Sequence, residues 1–300
     1  MATEFQTPWQ RTAEARLAAA SCSPPSFVYS PQSSLWGERE IIGFGRDAFA
    51  VKEMERGAAN EIVRANHYSR TTYNNSLIHL GVYAPNLLGV LQFGQAMNPQ
   101  SQAGVVAGTL PDEYLELNRM WLADALPRNS ESQAISYSLT YIRRKFPKIA
   151  WVQSFADERC GRHGVVYQAC NFIYCGEHTS VFWELDGEMY HNSAMTRDPN
   201  GEGAGNRPKV LQENKARAVP HKLRQFRYIY FLKRGFRQRL NLTEKAYPKH
   251  ASEGSMESRP DTIREGGGQF PDDAPISRNA KAENDQALPQ GGAKKGNNEH

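Results

Sequence analysis

Residues 115–147, "LELNRMWLADALPRNSESQAISYSLTYIRRKFP", constrain the fold more tightly than any other stretch. An apolar run enters a short polar loop and leaves it as an amphipathic helix. Ile135, Leu139, Ile142 and Phe146 share one helical face. Ser130 with Gln133 three residues on has the form of a capping box, Arg143, Arg144 and Lys145 fill the last turn, and Pro147 stops the helix. A strand feeding straight into a helix requires a sheet that the helix can cross over and cover. Enzymes with such junctions usually place glycines there, whose bare amides approach a phosphate; "LPRNSES" has none.

The surrounding sequence supplies the sheet. "AFAVKEM" alternates as a short strand, and "AANEIVRANHYS" predicts a helix with Ile62, Val63 and Ala65 on one face, ending near Asn66 and His67. "LIHLGVY" and "LLGVLQFG", separated by "APN", form a hairpin pattern. Residues 97–112 read as a long loop. "IAWVQSFAD" is a buried strand, "GVVYQACN" a short helix and "FIYCGE" another strand, with "SVFWELD" and "EMYHNSAM" a further antiparallel pair. The order predicts an α/β domain: a mixed, mostly antiparallel sheet flanked by helices.

Composition divides the chain. Residues 251–300 hold 6 Lys+Arg against 9 Asp+Glu and few large apolar side chains, so a disordered tail is expected there. Residues 1–40 are expected to be a poorly ordered extension. The domain proper is placed at 41–198, and 199–250 reads as a basic strand/helix extension. Within it, residues 204–250 carry 13 basic residues against Glu213 and Glu244, interleaved with aromatics. That pattern suits a nucleic-acid contact, with Arg224, Arg227, Lys233 and Arg237 as candidates; a solvated basic face is the simpler alternative. No apolar run approaches the roughly 20 residues of a membrane span. The sparse cysteines, Cys22, Cys160, Cys170 and Cys175, suit a reducing compartment, and a cytoplasmic location is expected.

The element order and loop positions resemble the GNAT acyltransferase fold, and "GVVYQACNFIYCG" resembles its "Y-x-x-x-G-F-x-x-x-G" segment, with Asn171 where glycine is usual. A more specific resemblance covers residues 60 to about 195. "NHYSRTTYNNSLIHLGVY", "LLGVLQFG", "LELNRMWLADALPRNSES" and "WVQSFAD", followed by "FRYIYFLKRGFRQRL", resemble the Mom proteins of Mu-like bacteriophages. That resemblance implies a GNAT-like transferase, phage- or prophage-encoded, acting on double-stranded DNA in the bacterial host. It would convert the 6-amino group of adenine to an acetamido (methylcarbamoyl) derivative and shield the DNA from restriction. An acyl-CoA-dependent N-acetyltransferase of a small molecule or protein, and a non-enzymatic DNA-binding protein, are the alternatives.

The 6-amino group of adenine is a poor nucleophile because its lone pair is delocalised, so an activated donor and a proton-handling group are needed, with the base extruded from the duplex. His67 and Asp157 are candidate general bases, against a satisfied helix-end histidine and a helix N-cap. Tyr167 stands where many GNAT enzymes keep a tyrosine general acid, against simple packing. Tyr68 and Tyr73 offer faces for stacking, and Ser69, Asn74 and Asn75 offer polar contacts to the base. Arg119, in an otherwise apolar strand, needs a partner; an ion pair with Glu116 or Asp157 and an anchor for donor or phosphate are equally open. Arg128, Asn129 and Ser130 replace the glycines of a donor loop. Their Cβ atoms would crowd the pyrophosphate of an acyl-CoA, and a glycyl group carried on tRNA matches the acetamido skeleton better. Two metal readings are the minor alternatives: iron on His67, Tyr68 and Asp157, and a zinc-like spacing of Cys160, His163, Cys170, Cys175 and His178.

Overall fold

The computed structural model describes residues 24–34, 37–161, 163–200 and 206–248. The tail at 251–300 and most of the N-terminal extension lie outside them.

Alternation of apolar side chains builds one sheet of ten strands among the described residues, in the spatial order β1-β2-β3-β4-β5-β6-β7-β10-β8-β9. The strands are β1 Ser26–Ser33, β2 Arg39–Arg46, β3 Phe49–Glu53, β4 Ser76–Tyr83, β5 Leu87–Gly94, β6 Tyr114–Leu122, β7 Trp151–Asp157, β8 Ile173–Leu185, β9 Glu188–His191 and β10 Val219–Phe231. The helices are α1 Arg56–Asn66, α2 Ser130–Lys145, α3 Val165–Ala169, α4 Ser193–Thr196 and α5 Arg207–Glu213.

The two helices that frame the site pack on opposite faces. Val90 and Leu91 are neighbours on β5 and must point to opposite sides. Val90 meets Ala59 and Val63 of α1, with Ile62 and Trp121 beside them. Leu91 joins the larger core, where Ala134, Ile135, Leu139, Tyr141 and Ile142 of α2 meet Leu115, Leu117 and Val152. Ala65, expected on the buried face of α1, is exposed; Ala59, one turn before Val63, is buried there instead.

Three further expectations are corrected. Residues before 41 are not all an appendage, because Ser26–Ser33 pairs antiparallel with β2 and Phe27 stacks edge-on against Phe44 at 5.1 Å. The basic segment after 199 is not an appended extension either. Its strand β10 lies inside the sheet, pairing β7 on one side and β8 on the other, with Phe226 and Tyr228 buried. "FIYCGE" and "SVFWELD" form the single strand β8, since the intervening His178 and Thr179 pair with Gln225 and Arg224 and keep it extended. The loop at 97–112 contains one short 3₁₀ turn, Pro99–Gly104, and buries Val105 and Val106.

Two irregularities position the site. Parallel pairing of β6 with β7 covers only Tyr114↔Trp151 to Glu116↔Gln153, so the two strands part beyond these residues. In β6, Gln92 faces Arg119 while Phe93 faces Leu117, which leaves Asn118 as an extra residue in a bulge. That bulge turns Arg119 to the same side as Glu116, toward α1 and the gap between the strands.

Candidate active site

The segment joining α1 to β4 crosses the mouth of this gap. His67 caps α1, its N–H donating to the Val63 carbonyl at 3.0 Å, and the chain turns sharply at Arg70, where φ is +46°. His67 is buried, and its Nδ1 accepts the Ser69 backbone N–H at 3.1 Å with the Ser69 hydroxyl at 2.8 Å. An Nδ1 that accepts leaves the proton on Nε2, so the other ring nitrogen of His67 is a donor. Burial, with Arg119 and Arg159 nearby, lowers its pKa to about 4. The ring is therefore uncharged at neutral pH.

Arg119 reaches from the bulge to hold this segment. Its Nε donates to the Thr71 carbonyl at 2.7 Å, one Nη donates to the Asn118 carbonyl at 2.7 Å, and the guanidinium lies over Tyr73 at 5.7 Å. No ion pair with Glu116 or Asp157 holds it; two of its donors go to these backbone carbonyls. Glu116 is half-buried, its carboxylate accepting the Asn118 amide at 3.3 Å and the Gln153 amide at 3.0 Å, and loss of water around the carboxylate raises its pKa.

Asp157 ends β7 on the far side of the gap. It caps the short turn Glu158–Cys160 by accepting the Arg159 N–H at 3.0 Å, so the N-cap reading holds. Both carboxylate oxygens also accept from the Arg159 side chain, Nε standing 3.0 Å from each. The Arg159 guanidinium is layered against Phe182 at 4.7 Å and Tyr68 at 5.3 Å, and the Tyr68 ring lies 4.3 Å from that of His67. Tyr68 is 57% exposed, an aromatic face open to solvent beside two candidate proton carriers.

The structure thus brings together His67, Tyr68, Ser69, Arg119, Tyr73 and Asp157. Tyr167 lies apart from them. It belongs to the core on the α2 side, packed on Tyr228 at 5.4 Å and Phe172 at 5.6 Å, its hydroxyl bonded to Ser154 and its pKa pushed up to about 12 by burial. Asn75 donates to the Ala96 carbonyl at 3.2 Å, which ties it to the next loop. Asn171 takes φ +60°, the conformation its glycine counterpart would supply.

At the start of α2 the capping box is absent. Asn129, at φ +71°, is the N-cap; Ser130 donates back to the Pro127 carbonyl at 2.7 Å and Ser132 to the Asn129 carbonyl at 2.9 Å. Gln133 turns to Tyr137 at 3.0 Å. Arg128 is exposed.

Of the basic candidates, Arg224 is paired with Glu158 at 2.8 Å and Glu177 at 3.6 Å, and Arg237 with Glu244 at 2.6 Å. Lys233 donates to the Lys148 carbonyl at 3.3 Å. Arg227 is half-buried over Phe155 at 5.0 Å. Among the described residues no three of His, Cys, Asp and Glu stand close enough to hold an ion. Cys170 packs in the main core and Cys175 against the cluster on the other face.

Sequence reasoning missed Arg159 and Phe182. The signal for Arg159 was present in Asp157-x-Arg159 at a strand end, a spacing at which an aspartate caps the turn and meets the side chain two residues on.

The model of the Mom protein family matches residues 48–249. The methylcarbamoylase mom of Escherichia phage Mu is 51% identical over 216 residues, covering 71% of this chain and 88% of that protein. Among solved structures, ribosomal-protein-S5-alanine acetyltransferase from Vibrio fischeri aligns at a TM-score of 0.38 and 9% identity, over 64% of this chain and 98% of that one. Spermidine/spermine N-acetyltransferase SpeG from Vibrio cholerae, solved with manganese ions, aligns at a TM-score of 0.39 and 10% identity, over 64% and 96%.

Proposed function

Because the chain belongs to the Mom protein family, we propose that it is a transferase that converts the 6-amino group of adenine in double-stranded DNA to an acetamido (methylcarbamoyl) derivative. The observation that carries this reading is the 51% identity to the phage Mu methylcarbamoylase over 88% of its length. Residues 48–249, which the family model matches, include every group gathered at the β6–β7 gap. In the infected bacterial cell the modification shields phage DNA from host restriction.

The residues at the gap divide the work. Tyr68 offers the exposed face on which an extruded base or its neighbour stacks, and extrusion costs a few kcal/mol that such stacking offsets. His67, uncharged, donates a hydrogen bond to the donor's leaving group, which gains charge as the carbon–N6 bond forms and the carbon's bond to that group breaks. Asp157, held by Arg159, takes the proton released by the adenine amine. Arg119 fixes the 67–75 segment so that His67 and Tyr73 keep their places. The donor enters at the start of α2, beside Arg128. The hydroxyls of Ser130 and Ser132 are taken up by the Pro127 and Asn129 carbonyls and the loop lacks glycine, which favours a donor other than an acyl-CoA pyrophosphate; a glycyl group on tRNA fits the product skeleton.

The test is to express the chain, digest cellular DNA to nucleosides and analyse them by mass spectrometry. Deoxyadenosine heavier by an acetamido group is expected. Unmodified deoxyadenosine alone, with the protein well expressed and folded, sinks the reading.

A further inference from the structure

The sheet face beside the gap carries a second group that none of these roles uses. Gln153, Phe155 and Asp157 alternate along β7 and share that face. Pairing sets Arg227 of β10 beside Phe155 and Gln225 beside Asp157. The Arg227 guanidinium lies over the Phe155 ring, 5.0 Å from its centroid, and His178 of β8 meets the same ring edge-on at 5.5 Å.

Arg227 is half-buried, yet among the described residues it makes no hydrogen bond and no ion pair. Glu116, close enough to influence it, is held instead by the amides of Asn118 and Gln153. A guanidinium with no protein acceptor keeps its donors free for a ligand, and burial of part of the side chain depresses the Arg227 pKa. The group is a platform of a guanidinium over one aromatic ring with an imidazole standing at that ring's edge, and no protein acceptor takes up the guanidinium's donors. Two residues of strand, about 6.6 Å, separate Phe155 from Asp157, comparable to the long axis of a purine.

We propose that Phe155, Arg227 and His178 form the seat of the extruded adenine, the purine ring lying against this platform and Arg227 donating to a ring nitrogen. The proposal rests on the DNA-modification reading above and assigns Arg227 to the base rather than to the phosphate backbone. A phosphate here would face the nearby Glu116 carboxyl, whereas a neutral purine carries ring acceptors and brings no charge. His178, whose pKa is lowered by burial and by Arg227, adds no second cation for a phosphate. The amino edge of a base seated on Phe155 then points along β7 to Asp157 and Arg159.

The test compares the full wild-type chain with Phe155→Leu, Arg227→Gln and Arg227→Lys, the last keeping the charge but losing the planar donors. The probes are an oligonucleotide duplex with adenine opposite abasic sites, the same duplex fully paired, and plasmid DNA from expressing cells. Wild type should prefer the unpaired adenine by about tenfold, because extrusion is already done. Each variant should lose that preference and make at least about tenfold less modified deoxyadenosine, while binding paired duplex within about twofold and with an unchanged salt slope. Retained binding of paired duplex shows that a variant is folded. Preference and modification preserved in the variants overturn the seat, as does a salt slope reduced by about one in Arg227→Gln, which would make phosphate its partner. A wild-type chain that neither modifies adenine nor favours the unpaired base instead fails the DNA reading itself.

Discussion

Arg159 clasps Asp157 from two residues away, its Nε 3.0 Å from each carboxylate oxygen, with Asp157 only 6% and Arg159 24% exposed. Removing one side of such a pair strands the other. Arg159→Ala is expected to cost about 3 kcal/mol in urea unfolding, because it leaves a buried carboxylate uncompensated, and Arg159→Lys distinctly less. A midpoint unchanged in Arg159→Ala would show that the clasp contributes nothing to stability.

His67→Ala should reduce modified deoxyadenosine in cellular DNA by about 100-fold or more, the usual scale of a proton-transferring or hydrogen-bonding group at the reacting centre. Ser69→Ala, which removes the hydroxyl at His67 Nδ1 but keeps the backbone N–H, should cost about tenfold or less. Full modification by His67→Ala would remove the histidine from the chemistry.

The same histidine makes stability depend on pH. Its pKa is 6.5 when unfolded and about 4 when folded. Between those values the unfolded chain binds the extra proton, so the stability His67 contributes is complete above about pH 6.5 and is lost as pH falls toward 4. The shift corresponds to about 3 kcal/mol. His79, His178 and His191 are lowered too, so wild type alone sums several groups. The stability difference between wild type and His67→Gln isolates the term; it should move against wild type by roughly that amount from pH 7.5 to 4. A constant difference would contradict the buried, uncharged ring.

Asn129 enters α2 at φ +71°. Asn129→Gly should be neutral or slightly stabilising, whereas Asn129→Val, β-branched in the left-handed region, should cost about 1–2 kcal/mol. Thermal melting of the two variants decides it, and equal melting temperatures would remove backbone conformation as the reason for asparagine there.

On β10, Arg224 is compensated by Glu158 and Glu177, while exposed Lys222 has no partner among the described residues. Lys222→Ala should lower the salt slope of DNA binding by about one and Arg224→Ala by less. The reverse order would mean that Arg224 leaves its acids to meet phosphate.

The apolar periods carried the hairpin β4–β5, the strands β6 and β7 and the helix α2, because each buries its own stripe and needs little information from elsewhere. His67, Tyr68 and Asp157 were readable as residues placed at element ends. Their distant partners were not. Phe182 and Arg227 meet the site through pairing of strands far apart in sequence, Arg159 reaches Asp157 locally by a spacing that was readable and missed, and the bulge at Asn118 that re-aims Arg119 leaves no mark in the alternation. The capping box failed because Ser130 spends its hydroxyl on Pro127, leaving Asn129 to make the turn. The placement of β10 was illegible for the same reason: a basic, aromatic strand looks like a surface element until its neighbours are known.

The location of β10 has a consequence during synthesis. Its slot lies between β7 and β8, both of which leave the ribosome first. Until residues 219–231 emerge, seconds later at ordinary translation rates of about 5–20 residues per second, those two strands expose open backbone edges to the cell. A nascent chain stalled or truncated ahead of Val219 would therefore be a sticky, chaperone-dependent species rather than a smaller working enzyme.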